Sequence, residues 1–313
     1  MGYKLAGLDV LGGLELEENT MKLYRANHNP RYSFLAPIQE FNQWPEECIP
    51  EELFDLDILD GSPPCSAFSI AGKRQSRWGQ TSDKFAGHAQ VIDDLFFHFI
   101  ETVSLLRPRV VIAENVKGLI IGNARGYVTE IFAAFNRAGY DTQLFLLNAS
   151  RMGVPQIRER TFFVARRKDL SLRKINFEFN EPPIAIGDVF RELSDPSPDE
   201  VASVRRSTEL CKRYWSLCSP GKSFGTVHPG AKWFSRVKIH PRRPINTLTT
   251  HSFGDLYHWS EPRNLYDGEL IAAQTFPVDY DFQGHDVGYV VGRSVPPLMM
   301  QRIASAVRDQ LFG

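Results

Sequence analysis

Apolar and polar positions alternate in two different ways along the chain. Residues 5–16 read as a strand and residues 19–27 as a short helix after it. A second apolar run, residues 53–59, ends at Asp60-Gly61-Ser62-Pro63-Pro64. Between residues 90 and 106, Ile92, Leu95, Phe96, Phe99, Ile100, Val103 and Leu106 recur at helical spacing. Pro108 stops that helix, and residues 109–113 form a short β-branched strand. Residues 129–138 predict another helix, closed by Gly139, and residues 142–147 and 161–165 predict a β-pair. Strands alternating with helices predict an α/β fold with a mostly parallel, doubly wound sheet.

The pattern changes after residue 168. From there to residue 282 the chain is irregular, with scattered Pro, Gly, Ser and aromatic residues. Basic clusters punctuate it: Arg205-Arg206, Lys212-Arg213 and His240-Pro241-Arg242-Arg243. Helical periodicity returns over residues 298–311. The expected organisation is a first domain over 1–167, a smaller, more basic module over 168–282, and a segment 283–313 that returns to the first domain.

Composition narrows the class. The 313 residues suffice for one large or two modest cores. Hydrophobic residues at 42% and charged residues at 23% are those of a soluble globular protein. No apolar run approaches the roughly 20 residues a bilayer span needs, and the start carries no signal-peptide pattern. The four cysteines, Cys48, Cys65, Cys211 and Cys218, stand at no metal-ligand spacing and point to a reducing cytoplasm. The formal net charge of −1 means that nucleic-acid binding would require basic residues gathered on one face.

In an open α/β sheet, ligands bind outside the carboxyl ends of the strands. Two polar signatures fall at such ends. One is Pro63-Pro64-Cys65-Ser66-Ala67-Phe68-Ser69, after the run 53–59. The other is Glu114-Asn115-Val116, after the strand 109–113. A lone cysteine is usually a small buried hydrophobe. Two stiffening prolines before Cys65 and small residues after it also suit a mounted nucleophile. Glu114 at a strand end can be a cap or an ion-pair partner, or can handle a proton. In Gln156-Ile157-Arg158-Glu159-Arg160, two arginines two apart on a strand would share a face. They could serve solubility, or hold a phosphate or a base carbonyl.

Taken in order, Pro-Pro-Cys, Glu-Asn-Val and Gln-x-Arg-x-Arg resemble the motif set of the cytosine-C5 DNA methyltransferases of bacteria and phage. Leu95-Phe96 lies where that family has a helix contacting its cofactor. Residues 243–249 and Gln274-Thr275-Phe276-Pro277 look like its late motif, and Gly292-Arg293-Ser294-Val295-Pro296-Pro297 like its last. The resemblance spans nearly the whole chain. It implies a Rossmann-like S-adenosylmethionine-dependent methyltransferase domain over 1–167, completed by 283–313, with a target-recognition domain over 168–282.

The resemblance also implies a chemistry. Cysteine thiolate adds to C6 of cytosine, C5 takes the methyl group of S-adenosylmethionine, and loss of the C5 proton releases the enzyme. By position Cys65 is the nucleophile. Glu114 pairs with cytosine N3 and the exocyclic amine, Arg160 contacts the base carbonyl, and Arg158 helps hold the site. The cytosine must leave the stack to be reached. Glu15, on the ribose hydroxyls, would bind the cofactor together with Leu16, Ile38, Pro64, Leu95, Arg293 and Val295. The loop with Ser66, Ser69, Lys73, Arg74 and Arg77 would close over the flipped base. Among basic residues of the second module, Lys222, Lys232, Arg236 and Lys238 are candidate DNA contacts. The implied partner is duplex DNA, with a cognate restriction endonuclease as a further candidate, for a monomeric, cytoplasmic enzyme without a metal.

The chain departs from the family at two places. The Phe-x-Gly-x-Gly segment that opens the family is absent, so an N-terminally shortened form is expected. Pro37 stands where the family has an acidic residue before Ile38, and proline cannot contact the adenine amine. Two other classes stay open: a DNA-binding homologue with little or no methyl transfer, and a tRNA cytosine-C5 methyltransferase. The form Pro-Pro-Cys-Ser-Ala-Phe-Ser and the basic module disfavour the second.

Overall fold

The computed structural model describes residues 1–64, 81–82, 90–91, 95–121, 125–204, 208–250 and 252–313. Cys65, Ser66, Ser69, Lys73, Arg74 and Arg77 lie outside them. The chain divides into two interleaved compact units. One comprises Met1–Asp9, Asn148–Arg158 and Phe177–Ala306; the other comprises Val10–Leu147, Glu159–Asn176 and Val307–Gly313.

The unit built around residues 10–147 begins with β1 (Gly12–Glu15), α1 (Glu18–His28) and β2 (Tyr32–Leu35). β1 and β2 pair in parallel, with Glu15 opposite Leu35, as a helical crossover allows. β3 (Ile58–Gly61), α2 (Leu95–Leu106), β4 (Val110–Val116), α3 (Arg125–Arg137), β5 (Tyr140–Asn148) and β6 (Glu159–Arg167) follow. A four-stranded sheet runs in the order β3-β4-β6-β5. β3 lies parallel to β4, and β6 antiparallel to β4.

The expected α/β architecture is present, with three local corrections. Residues 5–16 are not one strand: Gly2–Leu5 is a short helix, and only Gly12–Glu15 is extended. The Gly12-Gly13 pair and the polar Asp9 break what apolar spacing alone suggested. The helix expected from residue 90 begins among the described residues at Leu95, while Gln90–Val91 pairs with Thr81–Ser82. The sheet is mixed because β6 is reached from β5 through residues 149–158, which hold one 3-10 turn and no crossover helix.

β4 is the centre of this unit. Val110, Val111, Ile112 and Ala113 are fully buried. α2 and α3 cover one face of the sheet, and Phe96, Phe99, Val103, Ile131 and Phe135 form a core with Val111, Ala113 and Phe163. Phe96 meets the Phe163 ring edge-on at 5.3 Å, an arrangement aromatic quadrupoles favour. Gly139 follows α3 at φ +91°, where a side chain would be strained. Gly61, the last residue of β3, is needed for a different reason. A Cβ there would stand 2.3 Å from the ring of Phe99. Asn176 and Gln310 join distant parts of the unit: the Asn176 N–H donates to Gln310 Oε1 at 2.9 Å, and Gln310 Nε2 donates back to the Asn176 carbonyl at 2.8 Å.

The other unit is poorer in strands, as the irregular pattern after residue 168 leads one to expect. Its main core gathers Ile186, Ile239, Ile245, Leu248, Leu256, Leu270, Phe276 and Val291. A smaller cluster of Cys211, Cys218, Phe224 and Tyr257 sits against Tyr214, Trp215 and Trp233. Gln156, Arg158 and Gln274 are polar yet buried. Gln156 Nε2 donates to Gln274 Oε1 at 2.5 Å, and the Leu248 N–H donates to Gln156 Oε1 at 3.1 Å. These bonds satisfy amides whose burial would otherwise cost about 1–3 kcal/mol each. Among the described residues no helix is long and apolar enough to cross a membrane.

Candidate active site

β4 continues past Ala113 and carries Glu114, Asn115 and Val116 within the strand. Alternation along a strand sends Glu114 and Asn115 to opposite faces, and their partners differ accordingly. Glu114 Oε1 lies 3.0 Å from Arg160 Nε, and both side chains are largely buried. Register explains the meeting: Val116 faces Arg160 and Glu114 faces Phe162 across the β4–β6 ladder. Burial pulls the Arg160 guanidinium below its ordinary pKa, and the Glu114 carboxylate beside it holds it up. The guanidinium remains a cation. A carboxylate and a guanidinium placed together present an acceptor and planar donors to one planar polar ligand.

Asn115 is buried on the opposite face. Its Nδ2 donates to the Pro63 carbonyl at 3.0 Å, its Oδ1 accepts from the Val116 N–H at 2.9 Å, and its own carbonyl accepts from Thr161 Oγ1 at 3.0 Å. The turn leaving β3 is therefore clamped to β4 two residues before Cys65. Gly61 against Phe99 fixes the strand end just ahead of it. Pro64, a cofactor candidate, is exposed.

The other cofactor candidates fall in both units. In the unit of residues 10–147, Glu15 ends β1. Its Oε1 accepts from the N–H groups of Leu16 and Glu17 at 2.7 and 3.1 Å, so the carboxylate is held at the strand's carboxyl end. Leu16, Ile38 and Leu95 are half-buried. Ile38 opens the short helix Ile38–Phe41, which packs on α2. Asn42 follows that helix and is bonded to α2: its Nδ2 donates to the His98 carbonyl at 2.9 Å and its Oδ1 accepts from Thr102 Oγ1 at 2.6 Å. Pro37 caps the helix start without any side-chain hydrogen bond. A carboxylate for a diol and apolar side chains for a flat ring fit a nucleoside. Arg293 and Val295 belong to the other unit. Arg293 is exposed, with Nη1 donating to the Tyr289 hydroxyl at 3.0 Å.

The two arginines of Gln-x-Arg-x-Arg do not share a strand face. β6 starts at Glu159, so Arg158 precedes it. Arg158 is buried in the other unit, where Nη1 donates to the Leu248 carbonyl at 2.6 Å and Nη2 to the Gly292 carbonyl at 3.1 Å. It is a bracket between two backbone segments, while Arg160 pairs with Glu114. Of the basic candidates, Lys222 and Lys232 are exposed. Arg236 lies over the Trp233 ring at 4.1 Å, with Nη1 2.9 Å from Cys211 Sγ. Lys238 is drawn inward, which corrects its assignment as a DNA contact. Its ammonium sits 3.6 Å from the centre of the Trp215 ring and donates to the Trp215 carbonyl at 3.2 Å. Burial lowers its pKa.

Asn115, Gln156 and Gln274 are the positioning residues that no spacing rule assigned. Their motifs were visible, but the Asn115–Pro63 and Gln156–Gln274 bonds join residues 52 and 118 positions apart.

A largely buried carboxylate–guanidinium pair thus joins neighbouring strands of the mixed sheet of an α/β protein. The chain belongs to the C-5 cytosine-specific DNA methylase family, whose model it matches over residues 1–309. It is 29% identical over 322 residues to the type II methyltransferase M1.HphI of Haemophilus parahaemolyticus, covering 98% of this chain and 82% of that one. It is 26% identical to the type II methyltransferase M.NgoPII of Neisseria gonorrhoeae, over 99% and 92% of the two chains. The fold is similar to that of a candidate DNA modification methyltransferase encoded within an E. coli prophage, with TM-score 0.77, 19% identity and coverage of 100% and 95%. It is also similar to Spodoptera frugiperda DNMT2, with TM-score 0.64, 16% identity and coverage of 98% and 95%.

Proposed function

We propose that this DNA cytosine-5-methyltransferase works on a cytosine flipped out of duplex DNA, with Cys65 as nucleophile and S-adenosylmethionine as methyl donor. The observation that carries the reading is the Glu114–Arg160 pair at the end of β4. It offers an acceptor for the exocyclic amine and a donor for the base carbonyl. Glu114 also holds the proton that N3 shares as electron density shifts toward C5. Asn115 supports the same reading, since it fixes the backbone leading to Cys65. The Cys65 thiolate would add to C6 and make C5 the nucleophile toward the donor's methyl group, whose bond to the sulfonium sulfur breaks as the C5–methyl bond forms; loss of the C5 proton would then restore the C5–C6 double bond and break the sulfur–C6 bond. Extruding the base costs a few kcal/mol, which contacts to the extruded base offset.

Glu15, Leu16, Ile38, Pro64 and Leu95 would hold the cofactor, with Arg293 and Val295. When bound, S-adenosylmethionine supplies an electrophilic methyl group. Ser66, Ser69, Lys73 and Arg74 would meet the DNA next to the flipped base, and residues 168–282 would read the target through exposed cations such as Lys232. The reading makes duplex DNA the partner, with a companion endonuclease to be sought, and places the enzyme in the cytoplasm.

One observation favours a second reading, in which the chain binds DNA and transfers little. Pro37 leaves no carboxylate before Ile38 for an adenine amine. Incubation with methyl-labelled S-adenosylmethionine and either duplex DNA or tRNA separates the readings. Label in DNA, abolished by Cys65→Ala, is the expected result. DNA binding without label supports the second reading, and label in tRNA alone overturns both.

A further inference from the structure

Residues 228–236 form a loop in the unit that contains residues 177–306, and it is held in an unusual conformation. Ala231 and Trp233 have φ of +49° and +64°, in the left-handed region that residues with a Cβ rarely enter. Hydrogen bonds hold the loop in place. The Ala231 N–H donates to the His228 carbonyl at 2.9 Å, and the Arg236 N–H to the Trp233 carbonyl at 3.1 Å. The Ser223 hydroxyl reaches the carbonyls of Trp233 and Phe234 at 3.2 and 2.7 Å. Gly225 lies against the backbone of residues 231, 232 and 234, where a Cβ would meet each at 3.3 Å.

The reversal at Trp233 separates two neighbouring aromatic side chains. Trp233 turns inward onto Tyr214, His228 and Arg236. Phe234, the next residue, is left 80% exposed. The surroundings are basic: Lys232 and Lys222 are exposed, and Arg236 lies over Trp233. The acidic neighbour is Asp255, bonded to Ser235 Oγ at 3.2 Å. A hydrogen-bonded loop that holds one aromatic ring in water, with Lys232 and Arg236 two residues to either side of it, suits a polyanion whose interior is a stack of flat rings.

We propose that Phe234 is a specificity-determining contact, an apolar wedge that packs against or between base pairs of the duplex. This rests on the DNA-methylating function proposed above. Lys232 and Lys222 anchor the flanking phosphates. The phosphate contacts are indifferent to sequence. The wedge favours base steps that unstack easily, so it adds discrimination where no polar base contact exists.

The test compares the wild type with Phe234→Ala, Phe234→Trp and Lys232→Ala. Binding to a random-sequence duplex pool is measured by anisotropy, the bound fraction is sequenced, and methylated positions are read by bisulfite conversion. Phe234→Ala is expected to weaken binding about ten-fold, the scale of one lost aromatic–base contact. It should leave the salt dependence and the melting temperature unchanged and flatten the preference for bases flanking the target. Phe234→Trp should restore both. Lys232→Ala should weaken all sequences alike and reduce the salt slope by about one. Unchanged affinity and flanking preference in Phe234→Ala overturn the proposal, as does a loss that Phe234→Trp does not repair. A wild type that binds the pool without methylating it removes the catalytic reading and leaves the Phe234 comparison standing. A wild type that does not bind duplex DNA overturns both.

Discussion

Asn115 of β4 and Pro63 of the turn leaving β3 are joined by one hydrogen bond of 3.0 Å, and that bond sets where the chain enters its Pro-Pro-Cys turn. Replacing Asn115 with Leu keeps the volume and removes both side-chain bonds. A half-buried carbonyl left without its donor costs up to about 1–3 kcal/mol. The expected result in urea denaturation is a loss of that size. Single-turnover methylation should fall about 100-fold, as misplacement of a reacting group does, with KM for DNA almost unchanged. Equal losses in kcat and in DNA binding would contradict a positioning role.

The Glu114–Arg160 pair makes a different prediction. Removing one partner of a buried ion pair strands the other charge, at about 3–5 kcal/mol. Arg160→Met should therefore destabilise more than the double variant Glu114→Gln/Arg160→Met. Glu114→Gln alone keeps the shape and loses the proton acceptor, and methylation should drop about 10²–10⁴-fold. Thermal melting and initial rates on duplex DNA check both halves of the statement.

Arg158 is almost fully buried in its unit. Its guanidinium spans the Leu248 and Gly292 carbonyls, a reach that a lysine ammonium does not match. Arg158→Lys should lower stability by about 2 kcal/mol or more, because one buried carbonyl loses its charged donor. Denaturant midpoints measure this, and an Arg158→Lys protein as stable as the wild type would refute the bracket.

His258 confers a pH dependence. Burial, followed by the Arg263 cation, pulls its pKa below the ordinary value, against the opposing carboxylates of Glu269 and Glu261. The folded protein thus keeps the ring neutral at pH values where the unfolded chain protonates it. Its contribution is complete above the unfolded pKa, about 6.5, and is lost as pH falls from there toward the folded value. Melting temperatures between pH 7.5 and 5 should fall more steeply for the wild type than for His258→Gln.

Much of this molecule was legible in its sequence. The periodicity of Phe96, Phe99, Ile100, Val103 and Leu106 located α2 to its last residue, and Gly139 marked the end of α3. β4 was cut short at Ala113 because Glu114 and Asn115 look like loop residues. They stay in the strand because Arg160 and Pro63 satisfy them. The same rule failed between residues 153 and 160, where alternate spacing put two arginines on one face. Arg158 lies outside the strand, its side chain claimed by carbonyls 90 and 134 positions away. Lys238 was a candidate DNA contact as a basic residue of the second module, and only the fold shows Trp215 beneath it. Local pattern records what a residue prefers, and long-range pairing decides where that preference is overruled.

The mutual hydrogen bonds of Asn176 and Gln310 bear on how the protein is made. The unit that begins at residue 10 acquires its segment 307–313 only after residues 177–306 of the other unit have been synthesised. The intervening unit likewise draws on residues 1–9, 148–158 and 177–306. A ribosome therefore cannot release one finished unit before starting the next, and contacts of long sequence separation are slow to form. A gene cut at residue 167 would yield two fragments that must find each other before either is whole.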